Sequence, residues 1–122
     1  MTDDLTELAA EVRRLSKLMD KAIGVLRTAG ADHAEHEHAY RLAKGQAWAL
    51  TAGQGMVVPE REAEVNAMTA DQRRSRDLAA ALEKSALEAV RARRGQLSAL
   101  QSLLGAAREE AAFARVGPGF GP

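Results

Sequence analysis

From Leu5 to Ala29 the apolar positions recur at alternating steps of three and four: Leu5, Leu8, Val12, Leu15, Met19, Ala22, Leu26 and Ala29. A helix gathers such positions into one stripe. A strict seven-residue repeat is the a/d seam of a coiled coil, supercoiled to the left because 3.5 is fewer than 3.6 residues per turn. Such a seam is incomplete until another helix covers it, from the same chain or from a neighbour. A second stripe runs through Leu78, Leu82, Ala86, Val90, Arg93, Leu97, Leu100, Leu104, Ala107 and Ala111. Its steps alternate after Ala86, and the repeated steps of four before it read as stutters that locally unwind the supercoil. No alternating strand pattern competes with these stripes.

Stop and start signals divide the chain into four predicted helices, at about 2–29, 32–52, 59–68 and 70–115. Thr2 suits the first N-cap, and Asp3, Asp4 and Glu7 suit its positive end. Gly30 is a natural left-handed C-terminal stop, although the Gly30-Ala31 interruption is short enough for a bent, continuous rod. Asp32 and Glu35 form a capping-box-like restart. Residues 53–58, Gly-Gln-Gly-Met-Val-Val, are the clearest loop, and Pro59 then sits at a favourable first helical position. Thr69-Ala70-Asp71-Gln72 reads as another capping box. The tail Gly117-Pro118-Gly119-Phe120-Gly121-Pro122 cannot continue a helix and is expected to be mobile. These elements predict an all-α fold: one elongated helical hairpin or coiled coil over 1–116, its two arms folded around the Gly-rich loop.

Composition sharpens this picture. Aromatic residues make up 3% of 122 residues, so the interior must rest on Leu, Ala, Val and Met. So thin a core favours assembly, and the predicted homo-oligomer seams are Leu5, Leu8, Val12, Leu15, Met19 and Leu26 on one side and Leu97, Leu100 and Leu104 on the other. Net charge is zero, with 17 basic and 17 acidic residues, so no global field draws the chain onto nucleic acid. The charge is uneven, with Arg73, Arg74, Arg76, Lys84, Arg91, Arg93 and Arg94 making residues 73–94 basic. Cysteine is absent, which excludes disulfide and thiol chemistry. No apolar run reaches membrane-spanning length and Asp3-Asp4 does not suit a signal peptide, so a cytoplasmic protein with no membrane partner is expected.

Few residues suggest chemistry. Asp32-His33-Ala34-Glu35-His36-Glu37-His38 places His33, His36 and Glu37 on one helical face, but the order is not that of a zinc motif and no further ligand is available. It reads as a polar, pH-responsive segment rather than a metal site. The serines lie inside helical patterns without a nucleophile elbow, and Gly53-Gln54-Gly55 lacks the rest of a phosphate-binding loop. No catalytic residue, metal or cofactor is predicted, and the chain is expected not to be an enzyme. One segment points elsewhere: Tyr40, Lys44 and Trp48 follow at i, i+4 and i+8, two rings flanking an ammonium. Rings that stack on bases and a cation that meets phosphate are the chemistry of sequence-neutral single-strand binding. The competing reading makes Tyr40 and Trp48 a plug between two helices, with Lys44 lying over them.

The helix around Ala43-Lys44-Gly45-Gln46-Ala47, the turn Gly53-Gln54-Gly55, a Glu/Arg-rich helix and a long final helix containing Ala86-Leu87-Glu88-Ala89-Val90-Arg91-Ala92-Arg93-Arg94-Gly95 come in a telling order. Over about residues 36–117 this order resembles the phage recombination mediators of the UvsY type, small helical proteins that form rings. That family carries a Leu-Lys-Ala-Arg-Leu motif for single-stranded DNA. Lys44 matches its lysine, Gln46 stands where its arginine is expected, Ala43 and Ala47 replace the leucines, and Arg41 offers a nearby charge. The resemblance implies a non-enzymatic accessory of phage homologous recombination that loads a RecA-like recombinase in place of a single-strand-binding protein, in the host cytoplasm. On that reading Tyr40, Arg41, Lys44 and Trp48 form the nucleic-acid site, with Arg73, Arg74, Arg91 and Arg94 as its fringe. The alternative is a coiled-coil scaffold or adaptor that binds only protein, such as a phage-encoded inhibitor of a host factor.

Overall fold

The computed structural model describes residues 2–116, with side chains described over 4–115. It holds three helices, α1 (Thr2–Thr51), α2 (Val58–Met68) and α3 (Ala70–Val116), and no strand among the described residues. The fold is all-α. The Thr2 cap and the Gly117–Pro122 tail lie outside the described side chains and backbone.

The predicted stop at Gly30 does not occur: α1 runs through it as one helix of 50 residues. A single glycine costs a helix about 1 kcal/mol relative to alanine, which packing readily outweighs. A stop needs a left-handed residue, and among the described residues only Gly53 (φ 77°) and Gly55 (φ 74°) have positive φ. Asp32 and Glu35 are therefore exposed mid-helix residues rather than caps. Gly30 has another use, since a Cβ there would meet Glu83 Oε2 at 2.8 Å.

The Gly-rich turn stands where the sequence puts it. Gly53 and Gly55 reverse the chain, and the Gln54 amide donates to the Leu50 carbonyl at 2.7 Å. Val57 is extended and leads into α2, with Pro59 in the first turn where no N–H is needed. Thr69 differs from its expected role. Its hydroxyl donates backward to the Val65 carbonyl (2.8 Å), as does its own N–H (3.1 Å), while the Arg73 N–H returns to the Thr69 carbonyl (3.0 Å). Thr69 thus joins α2 to α3 at a break satisfied by back-bonding, and no capping box forms.

The chain packs as two compact units. Unit 1 is Met1–Gly24 with Glu88–Pro122, and unit 2 is Val25–Leu87. In unit 1, Leu5 shares a groove with Ala107 and Ala111, and Val12 shares one with Gln101, Leu104 and Arg108. Seven residues forward on α1 match seven back on α3, so the helices are antiparallel and meet heptad on heptad. Leu15, Val90 and Leu104 are buried, while Leu5, Leu8, Val12, Met19, Leu97 and Leu100 are half-buried. The two seams expected to recruit other copies instead face each other within one chain.

In unit 2, the same antiparallel rule sets Arg76 opposite Glu37 and Tyr40, and Glu83 opposite Gly30 and His33. Here the predicted stripe fails: Leu78 and Leu82 are 62% and 58% exposed. The covered positions are instead Arg76, Ala79, Glu83 and Ala86, continuing to Val90 in unbroken alternation of three and four. No stutter is present. A regular helix keeps its phase, so residues seven apart from the later seam turn inward whatever their polarity.

Candidate functional site

Tyr40 lies in the interior of unit 2 and is 8% exposed. The Arg76 guanidinium stands 4.3 Å from its ring centroid and the Lys44 ammonium 5.8 Å, so two cations of the same chain hold it by cation–π attraction. Arg76 also donates to Asp77 from Nε (3.0 Å) and Nη2 (2.8 Å), and lies 3.7 Å from Glu37. The Asp77 hydrogen bond is the main reason its pKa is raised still higher, with attraction to Glu37 adding to it. Glu37 accepts a second cation, Arg41, at 2.9 Å. Tyr40 is therefore unavailable as a stacking platform, and the plug reading holds for it.

Trp48 is half-buried, and Arg61 lies 4.6 Å from its ring centroid. The same guanidinium donates from Nε to the Thr51 hydroxyl (3.0 Å) and from Nη2 to the Trp48 carbonyl. Thr51, 3% exposed, donates in turn to the Ala47 carbonyl at 2.9 Å. Arg61 thus ties the start of α2 to the last turn of α1, donating to the Trp48 carbonyl at a helix end where carbonyls lack intrahelical partners. One face of Trp48 is occupied by this clamp.

Of the remaining predicted contacts, Arg41 and Lys44 are exposed on α1, with Arg41 paired to Glu37. Arg74 is exposed and Arg73 half-buried in unit 2, while Arg91 and Arg94 are exposed in unit 1. Unit 2 has eight Lys/Arg against nine Asp/Glu, so its cations are set in a near-balanced field. The structure brings Tyr40, Lys44 and Arg76 together; it does not bring the rings out beside the cations.

The histidines diverge. His33 turns inward and its Nδ1 is 3.1 Å from Glu83 Oε1, whereas His36 and His38 are exposed. Among the described residues no three metal-ligating side chains converge. The two grooves of unit 1 are lined by Ala, Leu, Val and Gly together with Asp4, Glu110, Arg115, Arg13, Gln101 and Arg108, and neither lining includes a Ser, Thr, Cys or His. No described helix is long and apolar enough to cross a membrane.

Of the residues that organise unit 2, Arg61 and Glu83 were not singled out from the sequence, and Arg76 entered only as one of the cations of the basic stretch 73–94. Arg76 and Glu83 were legible in principle, because stepping back from Val90 by the heptad rule lands on both. Arg61 carried no signal beyond its position two residues after Pro59. Among the described residues, ten large apolar side chains are exposed: Val25, Leu42, Leu50, Val57, Val58, Met68, Leu78, Leu82, Leu103 and Phe113. All but the last two belong to unit 2. The fold is that of an all-α protein with three helices among the described residues. No family model, curated protein or solved structure matches the chain.

Proposed function

We propose that this protein is a non-enzymatic helical scaffold or adaptor whose ligand is protein. The observation that carries the reading is the inverted surface of unit 2, where eight large apolar side chains face solvent while Arg76, Glu83, Thr51 and Thr69 lie in or beside the packed faces. Eight large exposed apolar side chains on so small a unit support its reading as a protein-contact surface. Nucleic-acid chemistry is less well served: Tyr40 is enclosed, Trp48 is covered on one face by Arg61, and the unit's charge is balanced. Arg41 and Lys44 remain exposed, and they support a second reading as a single-stranded-DNA accessory of recombination.

Salt separates the two. Phosphate contacts release counterions, so DNA affinity falls steeply between about 50 and 200 mM salt. Fluorescence anisotropy with a labelled single-stranded oligonucleotide at about 50 mM salt is expected to show no saturable binding at micromolar protein. Saturable binding that weakens with salt and is lost on Lys44→Ala would install the DNA reading instead. In parallel, Leu42→Asp and Leu82→Asp should leave helix content unchanged, since both side chains already face water in the single chain.

A further inference from the structure

One groove of unit 1 carries charge of a single sign. It measures about 320 Å3 and is lined by Ala9, Val12 and Arg13 of α1 and by Gln101, Leu104, Gly105 and Arg108 of α3. That lining holds two guanidiniums, one neutral amide and no carboxylate. Neither arginine enters an ion pair among the described residues. Side chains three and four apart meet on a helix, and around Arg13 those positions hold Ala9, Ala10, Ser16 and Lys17. Around Arg108 they hold Leu104, Gly105, Ala111 and Ala112. No acid stands at those positions on either helix. Elsewhere in the unit the cations are matched: Arg14 pairs with Glu11, and the other groove sets Asp4 and Glu110 in one lining with Arg115.

We infer that Arg13 and Arg108 hold the carboxylate of a glutamate side chain from an acidic segment of a partner protein, its methylene stem against Val12 and Leu104. The site is separate from the exposed apolar residues of unit 2 and rests on the protein-ligand reading for the source of that carboxylate. Two like charges on one groove repel, and an anion between them removes that cost. A guanidinium presents paired N–H donors that match the two oxygens of a carboxylate, and the Gln101 amide offers one more donor. The volume stands at the lower end of ligand-sized clefts, room for a side chain rather than a folded element. Ala9, Val12 and the buried Leu104 reward a ligand that carries methylene groups beside its charge.

A phosphate strand would meet the same arginines, but the surroundings suit it less well. Val12 shares its groove with Leu104, and Leu5 shares the next with Ala107 and Ala111. In that direction the two helices carry Glu7, Glu11, Glu109 and Glu110. A backbone of repeated negative charges running that way meets carboxylates, whereas a single acidic side chain ends at the arginines.

An NMR titration of the full chain with the capped peptide acetyl-Ala-Leu-Glu-Leu-Ala-amide, read at the arginine Nε–H signals, tests this. The Arg13 and Arg108 signals should shift together and saturate, with a Kd of about 1 mM from two charge-assisted contacts on an open groove. The same peptide with Gln in place of Glu should bind at least about tenfold more weakly, because the paired charge is gone. Arg13→Gln and Arg108→Gln should each weaken the Glu peptide by about tenfold. Arg94→Gln, exposed in the same unit but outside the groove lining, should change it by less than about twofold. Gly105→Leu tests the space without altering the charge, since a Cβ there meets nothing within 4 Å and the residue lines the groove. It should weaken the Glu peptide with unchanged helix content. Equal binding of the Glu and Gln peptides, or full binding by Arg108→Gln, overturns the inference. A single-stranded oligonucleotide that shifts the same two signals at lower concentration than the peptide also overturns it and assigns the groove to phosphate. No shift at about 10 mM peptide, where a millimolar site is mostly filled, overturns it too and leaves the protein-ligand reading of unit 2 to the oligonucleotide test above.

Discussion

Where α1 and α3 meet in unit 1, the buried side chains are Leu15, Val90 and Leu104; in unit 2 they are Tyr40, Ala47, Thr51, Val65, Thr69, Ala79 and Ala86, with Arg76 and Glu83 at half-buried seam positions between them. The outer surfaces reverse this. Unit 1 exposes two large apolar residues on α3, Leu103 and Phe113, and unit 2 exposes eight. Both units use the same antiparallel heptad pairing, so backbone geometry alone does not decide what fills an interface. Unit 1 is held by apolar burial, the non-directional term that supplies most folding stability. Unit 2 also buries apolar side chains, mostly small ones with Tyr40 and Val65, and adds directional contacts: Arg61 on Trp48 and Thr51, Arg76 on Tyr40 and Asp77, His33 on Glu83. Directional contacts contribute less each but fix one register, and the leucines of unit 2 stay exposed.

The largest effect expected from this contrast is in the apolar interior. Leu15→Ala or Leu104→Ala should destabilise the chain by about 2–4 kcal/mol, through lost burial and the cavity left behind. Leu78→Ala and Leu82→Ala, at unchanged protein concentration, should stay within about 0.5 kcal/mol. Urea unfolding followed by circular dichroism decides it, and equal losses at Leu15 and Leu78 would erase the distinction between the units.

Next in size is the clamp of unit 2. Arg61→Ala removes two hydrogen bonds and the contact with Trp48, for an expected cost of about 1–3 kcal/mol. Arg61→Lys should recover little of it, because an ammonium cannot reproduce the planar fork that reaches Thr51, Trp48 and the ring together. Tryptophan fluorescence should shift in both variants as the covered face opens to water.

Filling unit 2 as unit 1 is filled sharpens the comparison further. Replacing both His33 and Glu83 by Leu should leave stability unchanged or raise it by about 1 kcal/mol, since a paired polar contact exchanged for apolar packing is often neutral or favourable. A large loss would show that the polar pair stabilises the fold rather than setting its register. Smaller still, Gly24→Ala meets open space inside α1 and should stabilise by about 0.5–1 kcal/mol. Gly30→Ala should gain less, because its Cβ must displace the Glu83 carboxylate and loosen the His33 contact.

The smallest effect lies on the surface of unit 1. A hydrogen bond from Arg14, aided by its charge, holds the Glu11 carboxyl below its ordinary value. A lowered carboxyl pKa stabilises the native state above the unfolded value, near 4.3, and that gain is lost as pH falls through the native value. Arg14→Ala should raise the Glu11 titration midpoint in an NMR titration, with no measurable change in the unfolding midpoint at neutral pH, because both groups face solvent.

By itself the sequence determined the class of fold, the Gly-rich turn, the Pro59 start and the apolar seams of unit 1. Each of these is local: helix periodicity, two glycines that must take positive φ, a proline that needs no donor, and heptads whose apolar members coincide with their phase. Only the tertiary structure decided the rest. Whether Gly30 ended a helix depended on the packing around it, because a glycine penalty of about 1 kcal/mol is small beside the burial it competes with. Which chain covered the seams depended on the turn bringing Leu104 back to Val12. Which residues of α3 entered unit 2 depended on phase carried down a continuous helix, which set Arg76 and Glu83 inside and left Leu78 and Leu82 outside. Lys44 lies over Tyr40 but not over Trp48, and the cations closest to the two rings, Arg76 and Arg61, are distant from them in sequence. Such contacts follow from antiparallel pairing across many residues, a non-local property that no short segment records.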